Sequence, residues 1–340
     1  MRIAVIGAGA VGGLVAALAA RAGHEVLVTA RGEHAEAIAR AGLHVDGGWG
    51  EWVAAVELVE SIPAPIPGRA AGARPLDLLV LATKAHDSTE ALAAWAAHDG
   101  TPVLVLQNGL GGEAAVRDAL PHSPIAIGLA LFAVSLAGPG RITVTGPNGL
   151  TLGGDPAAVT VAEPLLRRAL PAELVIADDI HGAQFTKLLV NQVNALPAIT
   201  GLSVQQTIAD PALRAILASG MVETVAVGDA AGVRWGRIGS VDADAVAAGR
   251  SGGPAAAATL AQLLAAGMGD VPNPASMLQS IRRGRTTEVD AINGAIVALG
   301  AKHGVPTPVN AALVELVRTA QSGGPPLTAT EALARIPAQS

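Results

Sequence analysis

The 340-residue chain has no cysteine and no tyrosine, and its aromatic residues amount to 2%. Without cysteine there can be no disulfide, no thiolate nucleophile and no zinc–thiolate centre. Without tyrosine, the side chains left to donate a proton in a reaction are lysine, histidine and the carboxylic acids. Charge is also sparse: 15% of residues carry it, and the formal net charge is −6. That balance lacks the basic footprint that nucleic acid or an anionic membrane surface would require. The eight histidines are scattered, with no close pair at helical ligand spacing, so no metal site is expected.

What is present begins at the N-terminus. Arg2 to Ile6 is an apolar run of strand length that leads directly into Gly7-Ala8-Gly9-Ala10-Val11-Gly12. An Ala- and Leu-rich helical stretch follows to Gly23, and Glu25 to Thr29 reads as a second strand. Strand, glycine turn, helix and strand within about thirty residues is the context in which a GxGxxG motif indicates dinucleotide binding. Gly7 would allow the tight turn, Gly9 would let the backbone approach a diphosphate, and Gly12 would let helix and strand pack closely. Residues 3–20 carry no charge and follow Arg2, so a signal peptide or membrane anchor is the competing reading. Four glycines among the eleven residues 3–13, and a charged strand in place of a polar cleavage region, argue against it. A soluble cytoplasmic protein without a membrane partner is expected.

The end of the second strand bears on the cofactor. An NAD enzyme usually places Asp or Glu there, accepting from the ribose hydroxyls. This chain has Ala30 and Arg31. A guanidinium cannot accept a hydrogen bond, but it can grip a 2′-phosphate, which points to NADPH. The alternative is that Arg31 is a solvated charge and Glu33 serves the ribose.

Further along, 33–41 has helical character and 43–59 suits extended structure, while Pro63 to Pro75 is Pro- and Gly-rich and reads as a loop. Asp77 to Thr83 and Val103 to Leu106 are continuous apolar runs of the buried parallel-strand kind. Lys84 and Asn108 follow them, at the strand ends where such sheets bind ligands. Ile125 to Val134, Arg141 to Thr145 and Leu150 to Gly153 suggest antiparallel strands finishing the sheet, with a flanking helix at Pro164 to Leu170. From His181 the strand signals stop, and helices are expected over 181–199, 210–232, 241–249, 254–268, 275–303 and 309–320. The expected architecture is therefore an α/β Rossmann-type dinucleotide-binding domain over residues 1–178 and an all-α domain over 179–340. The Ala-rich helical part offers a surface on which a homodimer could form.

Two features of the helical part exceed what packing needs. Lys187, Asn191 and Asn194 stand at i, i+4 and i+7, giving a polar stripe that either faces water or lines a wet cleft. Glu288 shares the phase of Ala291, Ile292, Ala295, Ile296 and Leu299, which would set its carboxylate on the core side, whereas Asp290, Asn293 and Lys302 fall off that phase. A core-side carboxylate needs a partner, and Lys187 is the candidate. The alternative is a half-exposed glutamate stabilised at a helix start.

With these residues in view, the chain resembles the ketopantoate reductases (2-dehydropantoate 2-reductases) over nearly its whole length. The resemblance rests on GAGAVGG at 7–13, Arg31, ATKAHDS at 82–88, QNGLGGE at 107–113, KLLVNQVNAL at 187–196 and SMLQSIRRGRTTEVDAING at 276–294. It implies NADPH-dependent reduction of a small-molecule 2-oxo acid to the 2-hydroxy acid, with ketopantoate the leading substrate and pantothenate biosynthesis the setting. By the same resemblance Lys187 would protonate the ketone oxygen and Glu288 would orient or polarise that lysine. Asn108, Asn191, Asn194 and Ser276 would hold the substrate. Gly7, Gly9, Ala10, Val11, Gly12, Arg31, Lys84 and Asn108 would bind or adjoin the cofactor.

There are departures from the family pattern. Leu131-Phe132 stands where a polar pair is often found, which would give an apolar substrate wall. Phe185 stands where a tryptophan is often nearby, and Ser280 where Asp is usual. The second asparagine of the helix motif follows the first by three residues rather than four. A bulkier 2-oxo acid or an imine is therefore the alternative substrate, and a non-catalytic NADPH sensor the reading from another class.

Overall fold

The computed structural model describes residues 1–60, 74–251, 253–266 and 272–337. Most of the expected loop at Pro63 to Pro75, and the end of the helix expected over 254–268, lie outside these residues. The chain divides into two compact units: Met1–Gln107 with Gly111–Ile180, and Asn108–Leu110 with His181–Ser340.

The first unit runs β1 Arg2–Ile6, α1 Ala10–Arg21, β2 Glu25–Val28, α2 Gly32–Ala41, β3 Leu43–Gly47, β4 Trp52–Ala54, β5 Glu57–Leu58, β6 Leu78–Leu81, α3 Ser88–Ala93, β7 Val103–Val105, α4 Gly112–Ala119, β8 Ile125–Ala130, β9 Ala133–Gly138, β10 Arg141–Gly146, β11 Leu150–Gly154, α5 Pro156–Ala169 and β12 Leu174–Ile176. Its main sheet has the order β12-β11-β8-β7-β6-β1-β2-β5. All neighbours are parallel except β8 and β11. Strand order reverses about β1, so the glycine turn at its carboxyl end sits at a topological switch point. Both faces of this sheet are covered. Ile3 and Val5 point into a core shared with α1 and α5, and Ala4 and Ile6 point to the opposite face with Leu92 and Trp95. Hence β6, Leu-Leu-Val-Leu, is buried at every position rather than alternating.

Of the later strands expected to finish the main sheet, β8 and β11 do so as an antiparallel pair, whereas β9 and β10 form a second sheet, β4-β3-β10-β9. The β9–β10 hairpin turns at Pro139-Gly140, and β10 then pairs in parallel with β3. The period-two pattern fixes a strand's faces but does not name its neighbour. This sheet explains the anchor-like run: α1 packs against it as well as against the main sheet, through Leu43, Val45, Ile142 and Val144. A Cβ on Gly13 would stand 2.6 Å from Ile142 Cδ1, so a larger residue there would have to displace the end of that side chain. A helix covered on both sides has no solvent face to charge. α5 begins eight residues before the expected Pro164, with Pro156 in its first turn; Pro164 is interior and exposed, where water can satisfy the carbonyl it leaves unbonded. The three-residue strand β12 is too short to carry a readable pattern.

The second unit is helical in its described residues: α6 Ile180–Asn191, α7 Ala195–Thr200, α8 Val204–Ala209, α9 Pro211–Ala230, α10 Ala243–Ser251, α11 Gly253–Ala266, α12 Ser276–Arg282, α13 Val289–His303, α14 Pro308–Gln321 and α15 Ala329–Arg335. Two expected helices are interrupted. Between α6 and α7 the chain tightens into a 3₁₀ turn at Gln192–Asn194, just before Pro197, which has no N–H to give Val193. The stretch expected as one helix over 275–303 is broken by Gly284 at φ 61, with Arg285 N–H returning to the Ser280 carbonyl at 2.9 Å. α8 and α15 add to the expected helices, and both carry capping boxes, Ser203 with Gln206 and Thr328 with Glu331. α9 is long and apolar enough to cross a membrane by composition, but 61% of its apolar window is buried, as in a core helix.

Candidate active site

In the first unit the glycine turn is held from beneath. Gly7 N–H donates to Thr29 Oγ1 and Ala8 N–H to the Thr29 carbonyl, each at 2.8 Å. Gly7 has φ 95, and a Cβ there would meet Thr83 Cγ2 at 2.8 Å. A Cβ on Gly12 would collide with the Gly7 carbonyl and lie 2.7 Å from Ala82 Cβ. Beside Gly9, by contrast, there is open space within 4 Å. Gly9 is the N-cap of α1 and supplies no side-chain cap, and no acidic residue stands in the first turn, which Ala10 and Val11 open. This geometry suits a diphosphate: a crowded turn, an open approach at Gly9, and uncapped N–H groups at a helix start.

Arg31 precedes α2 and is exposed, with one guanidinium nitrogen 3.2 Å from Glu90 Oε1. A surface pair of this kind is worth little and leaves a guanidinium able to exchange partners. Lys84 is half-buried at the head of a 3₁₀ turn beyond β6. The end of β6 is locked by Gln107, whose Nε2 donates to the Thr83 carbonyl and to Ser88 Oγ, both at 2.7 Å.

In the second unit the other sequence candidates fall into two groups. Lys187, on α6, is 7% exposed. Burial pushes its ammonium down to about 8, while the Glu288 carboxylate opposes the shift. Glu288 accepts from Asn108 Nδ2 at 3.4 Å. The expectation of a core-side Glu288 is corrected: it is the half-buried N-cap residue of α13. The helix starts one residue later, and the buried phase is Val289, Ile292, Asn293, Ile296 and Gly300. Asn293, which falls off the phase read from the sequence, is fully buried.

The second group is Asn191, Asn194 and Ser276. Asn194 Nδ2 donates to the Asn191 carbonyl at 2.9 Å. Its Oδ1 accepts from the backbone N–H of Ser276 at 3.1 Å and from Ser276 Oγ at 3.2 Å. Asn194 sits in the 3₁₀ turn, so it does not continue the α-helical stripe of Lys187 and Asn191. Ser276 follows Ala275, whose φ of 57 is positive, a strained placement for a residue with a Cβ. Phe132 is turned into the first unit's core against Trp49, centroids 5.3 Å apart, so its side chain forms no substrate wall.

The sequence assigns no specific role to the residues that support these groups, although Gly109 and Leu110 lie in its QNGLGGE motif. Gln184 Nε2 donates to the Gly109 carbonyl at 3.1 Å, and Leu110 N–H to the Ala291 carbonyl at 3.0 Å. Gly109 has φ 79 and lies so close to Ala291 that a Cβ would clash. The segment carrying Asn108 is thereby fastened to the start of α13. Behind it lies a buried chain of side-chain bonds. Asn293 Nδ2 donates to Gln192 Oε1 (2.7 Å) and Asn310 Oδ1 (3.0 Å), and Asn310 Nδ2 donates to Glu223 Oε2 (2.8 Å). The buried phase of α13 is the available signal for Asn293; Glu223 has none beyond being an acid in an apolar helix.

Residues 3–156 match the family model described as ketopantoate reductase PanE/ApbA, and residues 179–321 match the model for the C-terminal part of that family. The chain is 33% identical to a 2-dehydropantoate 2-reductase of Mesorhizobium japonicum, over 94% of this chain and 97% of that protein. It is 31% identical to one of Archaeoglobus fulgidus, over 95% and 98%. Among solved structures, a PanE/ApbA family ketopantoate reductase from Ralstonia eutropha superposes with TM-score 0.76 at 27% identity, covering 95% of this chain and 99% of that one. A D-mandelate dehydrogenase with NADH and anilino(oxo)acetate superposes with TM-score 0.77 at 27% identity and the same coverage.

Proposed function

The chain belongs to the ketopantoate reductase PanE/ApbA family and is an oxidoreductase of that type, and from this premise we propose that it reduces 2-dehydropantoate to pantoate with NADPH. The observation that carries the reading is a buried lysine poised at about 8 beside a carboxylate. An amine so placed is mostly protonated at neutral pH, yet gives its proton up readily.

A bound reduced nicotinamide supplies the hydride. The chain's own residues do the remaining work. Lys187 Nζ–H holds the ketone oxygen, stabilises the negative charge that develops on it, and passes it a proton. Glu288 keeps the lysine charged before that transfer, and Asn108 holds Glu288. Asn191 and Ser276 bind the carboxylate and hydroxyl of the substrate, with Asn194 fixing Ser276. Gly7, Gly9, Ala10, Val11 and Gly12 receive the diphosphate, Arg31 the 2′-phosphate, and Lys84 adjoins the cofactor. A small-molecule enzyme of the cytoplasm is the setting proposed.

A second reading has its own support, in the D-mandelate dehydrogenase neighbour with NADH: an aryl 2-oxo acid as substrate and NADH as reductant. One experiment separates them. Purified protein is given NADPH or NADH with ketopantoate, phenylglyoxylate and branched 2-oxo acids, and the loss of nicotinamide absorbance is followed. The highest kcat/KM with NADPH and ketopantoate supports the first reading, and preference for phenylglyoxylate with NADH replaces it. Turnover near the wild-type rate in Lys187→Ala would refute the chemistry of both.

A further inference from the structure

The strongest unassigned group near the glycine turn is a buried histidine on α2. His34 lies three residues past Arg31 and is 9% exposed. Its ring bridges two backbone atoms: Nε2 is 2.6 Å from the Ala8 carbonyl oxygen, and Nδ1 is 2.9 Å from the N–H of Gly140 in the β9–β10 turn. Gly140 N–H can only donate, so Nδ1 must accept, and the ring proton sits on Nε2, donated to Ala8. The ring is therefore neutral and held in a single tautomer.

We propose that His34 is a positioning residue for the cofactor: by gripping the Ala8 carbonyl it aims the N–H of Gly9 at the cofactor's diphosphate. The step from one to the other is the planarity of the peptide bond. In the trans peptide joining Ala8 to Gly9, the carbonyl and the N–H point in opposite directions. A carbonyl held toward α2 therefore turns the Gly9 N–H away from it. Ala8 N–H is already held by Thr29, so His34 fixes the remaining free end of the residue. Glycine cannot do this for itself, since Gly9 tolerates either orientation of the peptide. Gly140 matters in turn because it holds the imidazole in the orientation that donates, which links the second sheet to the nucleotide turn.

This inference rests on the reading of the glycine turn as a diphosphate site, and the test separates the two. In the full-length protein, dissociation constants for NADPH and NADH are measured by nicotinamide fluorescence, alongside Tm, for wild type, His34→Ala, His34→Asn and His34→Gln. Glutamine can place an N–H near Nε2 and reach Ala8; asparagine is too short, and its amide overlays the Nδ1 position instead. Cofactor Kd should rise about tenfold in the alanine and asparagine variants, the scale of one buried hydrogen bond. The glutamine variant should recover most of that loss, with the KM for the 2-oxo acid unchanged throughout. If Tm falls while cofactor Kd stays at the wild-type value, His34 only supports the fold and the proposal is wrong. Failure of glutamine to rescue Kd despite a restored Tm also overturns it. Should the alanine variant not fold, the comparison of asparagine with glutamine decides. Absence of NADPH and NADH binding by wild type removes the diphosphate reading and this proposal together.

Discussion

Lys187 is a stability liability kept in a buried position. Its folded pKa, about 8, lies below the ordinary 10.5, so between those values the unfolded chain holds more protons than the folded one. Stability therefore rises with pH across that window, and the penalty is fully present below it. Lys187→Met should be more stable than wild type at pH 7, by on the order of 3 kcal/mol. That advantage should shrink as the pH is raised from 8 toward 10.5, as read by urea unfolding at each pH. Activity should move the other way. Wild-type kcat should fall as pH rises through about 8, because the proton to be donated is lost. In Glu288→Gln the opposing carboxylate charge is gone, so the falling limb should appear at lower pH. At Arg31 the prediction concerns selectivity. Arg31→Glu should raise the KM for NADPH by about ten- to a hundredfold, the scale on which repulsion replaces a charge-assisted hydrogen bond, and should improve NADH relative to it. Retention of full NADPH preference would exclude Arg31 from the 2′-phosphate site.

Among the helices, α14 is fastened by a side chain rather than by a local cap. Glu223 on α9 is 4% exposed and accepts from the backbone N–H groups of Val309 and Asn310, at 2.7 and 2.8 Å, and from Asn310 Nδ2. It supplies to the start of α14 what an N-cap side chain would. Glu223→Ala should cost about 3 kcal/mol, since it strands three buried donors, measured as a lowered urea midpoint. Such long-range caps are invisible to a reading that looks three residues ahead. Other ends carry local signals that apolar periodicity alone passes over: Gly284, inside the helix expected over 275–303, marks the end of α12, and the capping boxes Ser203–Gln206 and Thr328–Glu331 open α8 and α15, which lie outside the expected helices. The placement of Glu288 shows the limit of periodicity. The apolar phase of α13 is legible, but that phase does not show the break in the expected 275–303 helix, which leaves Glu288 as a half-exposed N-cap residue instead of a core-side one.

At the level of the whole molecule, the change from strand-length apolar runs to long helical ones announces an α/β region followed by an all-helical one. The glycine turn can be read because its three glycines stand at fixed short spacing between a strand and a helix, even though part of what crowds Gly7 and Gly12 comes from Ala82 and Thr83, far along the chain. The second sheet cannot, since β3 and β10 are about a hundred residues apart in sequence and nothing in either names the other. The same holds for the substrate groups. Their residue types stand out, but that Asn194 holds Ser276 across eighty-two residues is a fact of packing.

The short segment Asn108–Leu110 belongs to the second unit although the residues on either side of it belong to the first. The helical portion is therefore not a transferable cassette. A gene fragment beginning at residue 181 would encode nearly every helix of that unit yet omit the tripeptide that packs on Ala291 and meets Glu288. Recombination between relatives would have to exchange this insert together with the helices it serves, because a chimera joined at a single crossover near residue 180 would pair one parent's tripeptide with the other parent's helix start.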